Sequence, residues 1–365
     1  MPEPVDTVDH PASAASPQGA PAPSLRVMSE GLSTGAAGGI LGLIIGLVSA
    51  YVWPDLPLSG NGSFGEVAAV SAGVVAAAST GIGYWRSRHS AGQEWRLTLA
   101  PWKFTVNAVS VVVVHTILAM LATLALYYVL GLAFIGLTMV PFWSATLMAI
   151  TLGLAGHLTY TSSSRMTTQR MSSLLMAFVL IGVLTSMVTT TDPDWWLLHF
   201  SQLGTFDSIS SVVFNGTLIA GGLLVTTFAV YVGNDMRVLV DRGLLGNTKS
   251  PRTVSVLFVV MGIMLAGVGL VPVDVNLAIH NLSATGMAIV YVSLLIAAPR
   301  LFKGMPRTFF VTSWGFLAAT VLSVALFVST YFGLTAFEII VFALVFAWIA
   351  TFIRFLGVTA QRTAP

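Results

Sequence analysis

The sequence predicts an all-α integral membrane protein, a polytopic bundle of about ten transmembrane helices with both termini in the cytoplasm. Three observations predict it. The 365-residue chain is 56% hydrophobic and 8% charged, with a mean hydropathy of +0.88, whereas soluble domains carry about 25% charged residues. Ten apolar stretches reach the roughly 20 residues needed to cross the hydrocarbon core. All 16 Lys and Arg residues fall in the tails and in alternate loops between those stretches.

Residues 1–32 read as a disordered cytoplasmic tail, because "MPEPVDTVDHPASAASPQGAPAPSLRV" is rich in Pro, Ala and Ser and lacks a core-forming apolar pattern. It also lacks the basic start and apolar core of a secretory signal. Spans one to four, roughly 34–53, 65–85, 104–127 and 134–157, make an N-terminal membrane block over residues 33–160. Gly38, Gly42 and Gly46 in span one, and Ala69, Gly73, Ala77 and Gly81 in span two, recur at intervals of four. Such rows let helix backbones approach closely. They predict that spans one and two form a tight hairpin, or face a second copy or another membrane protein. Spans three and four are joined by a short turn near Tyr127 to Phe134, and Pro141 predicts a kink in span four. A cytoplasmic loop over 161–171 leads to a six-helix block over 172–357, with spans near 172–191, 208–233, 253–272, 279–299, 308–330 and 334–356. Residues 358–365 form a cytoplasmic tail.

The charge pattern sets the orientation, since cytoplasmic loops collect Lys and Arg. One side holds Arg26, then Arg86, Arg88, Arg96 and Lys103, then Arg165 and Arg170, then Arg237, Arg242, Lys249 and Arg252, then Arg300, Lys303 and Arg307, and finally Arg354 and Arg362. The other side has none and carries Asp55, Glu66, Asp192, Asp194, Asp207, Asp274 and Glu338. A missed or added span would scramble this separation. The Ala-, Gly- and Val-rich composition points to a bacterial cytoplasmic membrane.

Several chemistries are excluded. Without Cys the chain has no disulfide framework, thiolate nucleophile or Cys-ligated metal. It has neither a Walker motif nor a GxSxG elbow. No HxxxH or HExxH pair sets two ligands on one helix. No cofactor or bound metal is expected, and a net charge of +2 gives no case for nucleic acid.

Two segments on the outer side concentrate polar groups. In "DPDWWLLHFSQLGTFDS", residues 192–208, Trp195 and Trp196 fit an aromatic belt. Asp207 and Ser208 are placed to cap the sixth span, with Ser211 and Asn215 following on one face. In "GVGLVPVDVNLAIHNLSATG", residues 267–286, Pro272 closes the seventh span, Asp274 and Asn276 occupy the turn, and His280 and Asn281 open the eighth. Asp207, Ser211, Asn215, Asp274, Asn276 and His280 are the candidate ligand-binding residues. Deeper in the membrane, His115, Asn107 and Glu338 are the notable polar groups, since intramembrane ionisable residues point to function. His115 reads as a buried imidazole bonded to a carbonyl or a Ser, with a proton path as the alternative.

The "SQLG…FNG" run, followed by "GLVP…IHN" within residues 172–356, resembles the domain-of-unknown-function 998 family of bacterial membrane proteins. The matching residues are Ser201, Gly204, Phe214, Asn215, Gly216, Pro272 and His280. That family is distantly similar to the eukaryotic Frag/DRAM/Sfk membrane proteins, which are linked to lipid remodelling. The resemblance covers about half of the chain and implies membrane lipid as the partner, without catalytic residues. The expected function is therefore binding or handling of a lipid or envelope component in an outer-leaflet pocket walled by spans six to eight. A secondary transporter of a small solute is the alternative: ten spans divide into two inverted halves, with Gly38–Gly39 and Gly221–Gly222 marking helix breaks. A metal-dependent hydrolase would draw on His199, His280, Asp192, Asp194, Asp207 and Asp274.

Overall fold

Long apolar runs become helices here because a chain in lipid must satisfy its backbone polar groups internally. The computed structural model describes residues 25–205 and 208–361. Its helices are α1 (Leu25–Val52), α2 (Phe64–Arg86), α3 (Pro101–Ala133), α4 (Pro141–Ser164), α5 (Thr168–Thr189), α6 (Trp195–Leu198), α7 (Ile209–Asp241), α8 (Ser250–Leu270), α9 (Leu277–Leu301), α10 (Arg307–Val328) and α11 (Leu334–Ala360). Among the described residues ten helices, all except the single turn α6, are long and apolar enough to cross a membrane. The protein is a multi-pass α-helical membrane protein.

Side-chain caps mark several starts. Ser63 accepts from Glu66 N at α2, and Thr167 accepts from Arg170 N at α5. Ser208 and Ser211 form a reciprocal capping box at α7. Pro141 stands in the first turn of α4, not within it, so the expected kink is absent. A Pro ring costs nothing there, because first-turn N–H groups have no intrahelical acceptor. The turn between α3 and α4 accordingly falls at residues 134–140, later than expected. Other boundaries shift too. α1 begins at Leu25, inside the segment expected to be a disordered tail; α4 and α5 leave residues 165–167 as their connection; and α11 runs past 357 to Ala360. Each extension is a helix continuing through polar residues that the apolar window did not count.

The described Lys and Arg residues all lie at one end of these alternating helices, the basic face; Asp55, Glu66, Asp192, Asp194, Asp274 and Glu338 lie at the other, the acidic face. At the basic face Glu30 accepts from Arg26 (3.1 Å), from Arg86 (2.6 Å) and from the Tyr160 hydroxyl, tying α1, α2 and α4 together.

The expected hairpin of the first two spans does not form. α1 lies antiparallel along α4, while α2 packs between α3 and α4. A Cβ added to Gly42 would stand 2.5 Å from the Met148 carbonyl oxygen, and one on Gly46 would stand 2.3 Å from that of Ser144. The partner surface is itself a row of small residues, Ala145, Ala149 and Gly153. On α2, Gly73 makes room for the Met120 side chain of α3. Both small-residue rows thus serve contacts within the chain.

The N-terminal block has its own core around Phe64, Ala72, Tyr127 and Leu152. α3 also sends Phe104, Val111 and Val114 into the larger core built by α5, α7, α8, α9 and α11. Neither α1 nor α7 is broken at its Gly pair. Gly222 instead allows α7 to touch α8, where its added Cβ would lie 2.4 Å from the Gly262 carbonyl oxygen. Midway through the bundle an aromatic layer fills the space between α7, α8 and α11. Phe228 meets Phe258 at 5.2 Å, Phe258 stacks on Phe352 at 6.1 Å, and Phe352 stacks on Trp348 at 5.6 Å.

Candidate functional site

The stretch after α5 folds back over the acidic face. Asp194 N donates to Asp192 Oδ1 (2.9 Å), a local turn that redirects the chain into α6. A 3-10 turn, Phe200–Gly204, follows. Three side chains from other helices hold it. Phe200 N donates to Glu338 Oε2 of α11 at 2.6 Å, Asn215 Nδ2 donates to Gly204 O at 2.8 Å, and Ser210 Oγ donates to Leu203 O at 3.3 Å. The Phe200 ring packs against Phe214 at 5.3 Å and Phe342 at 5.8 Å.

Beneath this turn lies a cavity of about 390 Å³. Its walls come from the 3-10 turn, α7, α8, α9 and α11. Most of the lining is apolar, including Phe214, Leu218, Leu265, Met287 and Phe342. The polar groups are Ser201, His280, Asn281, Thr285 and Glu338. The His280 ring is buried, and its Nδ1 bonds the Val271 carbonyl oxygen at 2.9 Å. A carbonyl only accepts, so Nδ1 carries the proton of that bond and Nε2 is the nitrogen left for a ligand. Nearby, His199 Nδ1 lies 3.3 Å from Ser201 Oγ. Burial, and secondly the neighbouring His280, hold the His199 imidazole below its ordinary pKa.

Of the six candidate ligand residues, His280 lines the cavity. Ser211 is engaged in the α7 capping box, and Asn276 caps α9 by accepting from Ile279 N at 3.1 Å. Asn215 holds the overlying turn from beside the cavity, and Asp274 sits in an exposed connection. Asp207 lies outside the described residues. The expected wall of spans six to eight also needs correction. The tenth span, α11, supplies Glu338 and Phe342, because its first turns pack against the 3-10 turn. Ser201, Asn281 and Thr285 complete the polar set; Ser201 and Asn281 carried the signal of a polar residue at or near a helix start, whereas Thr285 lies about two turns inside α9.

The remaining intramembrane groups lie elsewhere. His115 bonds the Val111 carbonyl oxygen at 2.8 Å and Ser162 Oγ at 2.9 Å, so both ring nitrogens are occupied, in the manner of a buried structural imidazole. Asn107 is buried in α3, and its Nδ2 has no hydrogen-bond partner. Among the described residues no three His, Asp or Glu side chains converge as a metal-ligand set. No family model, no curated protein and no solved structure matches this chain.

Proposed function

We propose that this protein binds a lipid or similar amphiphile of a bacterial cytoplasmic membrane, at a pocket open to the outer leaflet. The carrying observation is the distribution of chemistry in the acidic-face cavity. Glu338, His280, Asn281 and Ser201 gather near the ends of their elements, while Leu265, Met287 and Phe342 form apolar walls below. From His280 to Ala288 the α9 wall descends about 12 Å, at 1.5 Å per residue. That shape suits a headgroup at the rim and an acyl segment beneath. The described residues of the acidic face include no Lys or Arg, so the headgroup is held by hydrogen bonds rather than by ion pairing to a phosphate. Glu338 and His280 Nε2 favour a headgroup that presents hydroxyl or amine donors.

The transporter alternative drew on a division into two inverted five-helix halves, with Gly38–Gly39 and Gly221–Gly222 marking helix breaks; α1 and α7 run unbroken through those pairs. The test is native mass spectrometry of the protein purified from its membrane, comparing wild type with Ala284→Trp, which fills the cavity, and His280→Ala. Lipid bound to the wild type and lost in Ala284→Trp, with its class redistributed in His280→Ala, is the expected result. An identical lipid complement in all three proteins overturns the proposal.

A further inference from the structure

The basic face contains a second cavity, larger than the first at about 670 Å³. It opens between the basic ends of α7 and α11. The connections from α2 to α3 and from α4 to α5 wall it through Gln93–Trp95 and Thr167–Gln169. Two carboxylates, Asp235 and Glu94, belong to its lining.

Their lack of a base is the informative feature. This face carries every described Lys and Arg, and Glu30 there is bridged to both Arg26 and Arg86. Among the described residues no Lys or Arg nitrogen comes within 4.0 Å of either Asp235 or Glu94. Arg242 lines the same cavity without bridging them. Arg96 is buried behind the Tyr231 ring, donating to its hydroxyl at 3.2 Å and to the Tyr84 carbonyl oxygen at 2.6 Å, and is not part of the lining.

Asp235 is partly buried and accepts from the Thr168 hydroxyl, a neutral donor. One helical turn earlier, the Tyr231 ring meets Trp95 edge to face at 4.9 Å. The Gln93 Oε1 atom is also buried without a partner. The cavity therefore offers two carboxylates and an orphaned amide oxygen beside two aromatic rings. A partly buried carboxylate with no cation nearby has lost water without gaining a counter-charge. A ligand ammonium supplies that charge through a charge-assisted hydrogen bond, and aromatic walls add attraction for the same cation.

We infer that the basic-face cavity binds a primary-amine solute, its ammonium on Asp235 and its apolar body against Trp95 and Leu356. Glu94 stands at the exposed mouth and attracts the same charge. This site is separate from the acidic-face pocket and does not depend on what that pocket holds.

The experiment is calorimetric titration of the full-length protein in lipid nanodiscs with two probes of nearly the same shape. Tryptamine carries the ammonium, and tryptophol replaces it with a neutral hydroxyl. Wild type should bind tryptamine about tenfold or more tightly than tryptophol, from the usual strength of a hydrogen bond to a charged group. Asp235→Asn should remove most of the preference for tryptamine, leaving the smaller share that Glu94 supplies. Glu94→Gln, at an exposed position, should weaken tryptamine severalfold without disturbing the fold. Asp241→Asn, on the same face but outside the lining, should leave binding unchanged. Equal affinity for the two probes overturns the inference, and so does tryptamine binding that is unchanged in Glu94→Gln and in a correctly folded Asp235→Asn.

Discussion

Replacing Gly46 with Ala places a methyl group into the closest part of the α1–α4 seam. The new Cβ would stand 2.3 Å from the Ser144 carbonyl oxygen and 2.7 Å from Ala145 Cα, where ordinary contact begins at 3.4 Å. The neighbours are backbone atoms, which cannot rotate away as a side-chain tip can. The helices must separate locally by about 1.1 Å. A gap of 0.5–1 Å forfeits roughly a quarter to a half of the dispersion attraction across it, so contacts at Gly42 weaken as well. Overpacking of this kind costs about 1–3 kcal/mol. The better helix propensity of Ala returns up to about 1 kcal/mol, which leaves a net loss of about 0–2 kcal/mol; because Gly39→Ala gains the same propensity, the two variants should still differ by the full overpacking cost. Gly39→Ala is the internal control on the same helix. Its Cβ would meet only the Ala149 carbonyl oxygen, at 3.6 Å, so that variant should be neutral or slightly stabilised. Reversible unfolding of purified protein in mixed micelles of increasing SDS fraction, followed by circular dichroism, measures both. Gly42→Ala combined with Gly46→Ala should cost less than the sum of the two, because one separation relieves both clashes. If Gly46→Ala is as stable as Gly39→Ala, the reasoning about the seam is wrong.

Three further outcomes are expected. Glu338→Gln keeps an acceptor for Phe200 N but removes its charge, a difference of about 1 kcal/mol; hydrogen exchange at the Phe200 amide should quicken about fivefold, and an unchanged rate would count against Glu338 as a group that holds the 3-10 turn. His199 has a folded pKa below its ordinary 6.5, so the unfolded chain takes up the proton first as pH falls. Its contribution is therefore fully present above about pH 6.5 and is lost as pH drops toward the folded value. His199→Gln should flatten the slope of unfolding free energy between pH 7 and pH 5, and an identical slope refutes it. Because the chain has no Cys, single Cys substitutions report sidedness without background. Asp194→Cys should react with a membrane-impermeant maleimide in intact cells, and Arg88→Cys only after permeabilisation; the reverse pattern would invert the orientation.

The spans were legible because their two signals, apolar length and the placement of Lys and Arg, are both one-dimensional. Partner choice is not one-dimensional. Gly38, Gly42 and Gly46 announce that some backbone comes close, and a neighbouring span with its own small residues was the natural candidate. Ala145, Ala149 and Gly153 on α4 carry the same spacing, but spacing does not say which row meets which. Pro141 shows a similar ambiguity, since a Pro suits both a kink and a first turn, and the uncharged stretch around it hid the boundary. At the site, His280 was legible as a polar residue opening a span. Ser211, Asn215 and Asn276 looked equivalent, yet they bond backbone groups, because a cap and a ligand contact call for the same side chains. The joining of Glu338 to Phe200 bridges 138 residues, and only the packing of α11 against the 3-10 turn brings them together.

The pairing of α1 with α4 also sets an order of events during synthesis. Gly38 of α1 faces Leu152 of α4, so the chain must grow by some 114 residues before that contact becomes available. At about 5–20 residues per second, the wait is roughly 6–23 s. Throughout it the glycine face of α1 is bare to lipid, since α2 emerges first but barely touches it. The N-terminal block cannot assemble as a succession of neighbouring hairpins. Its first helix is held open until its fourth arrives.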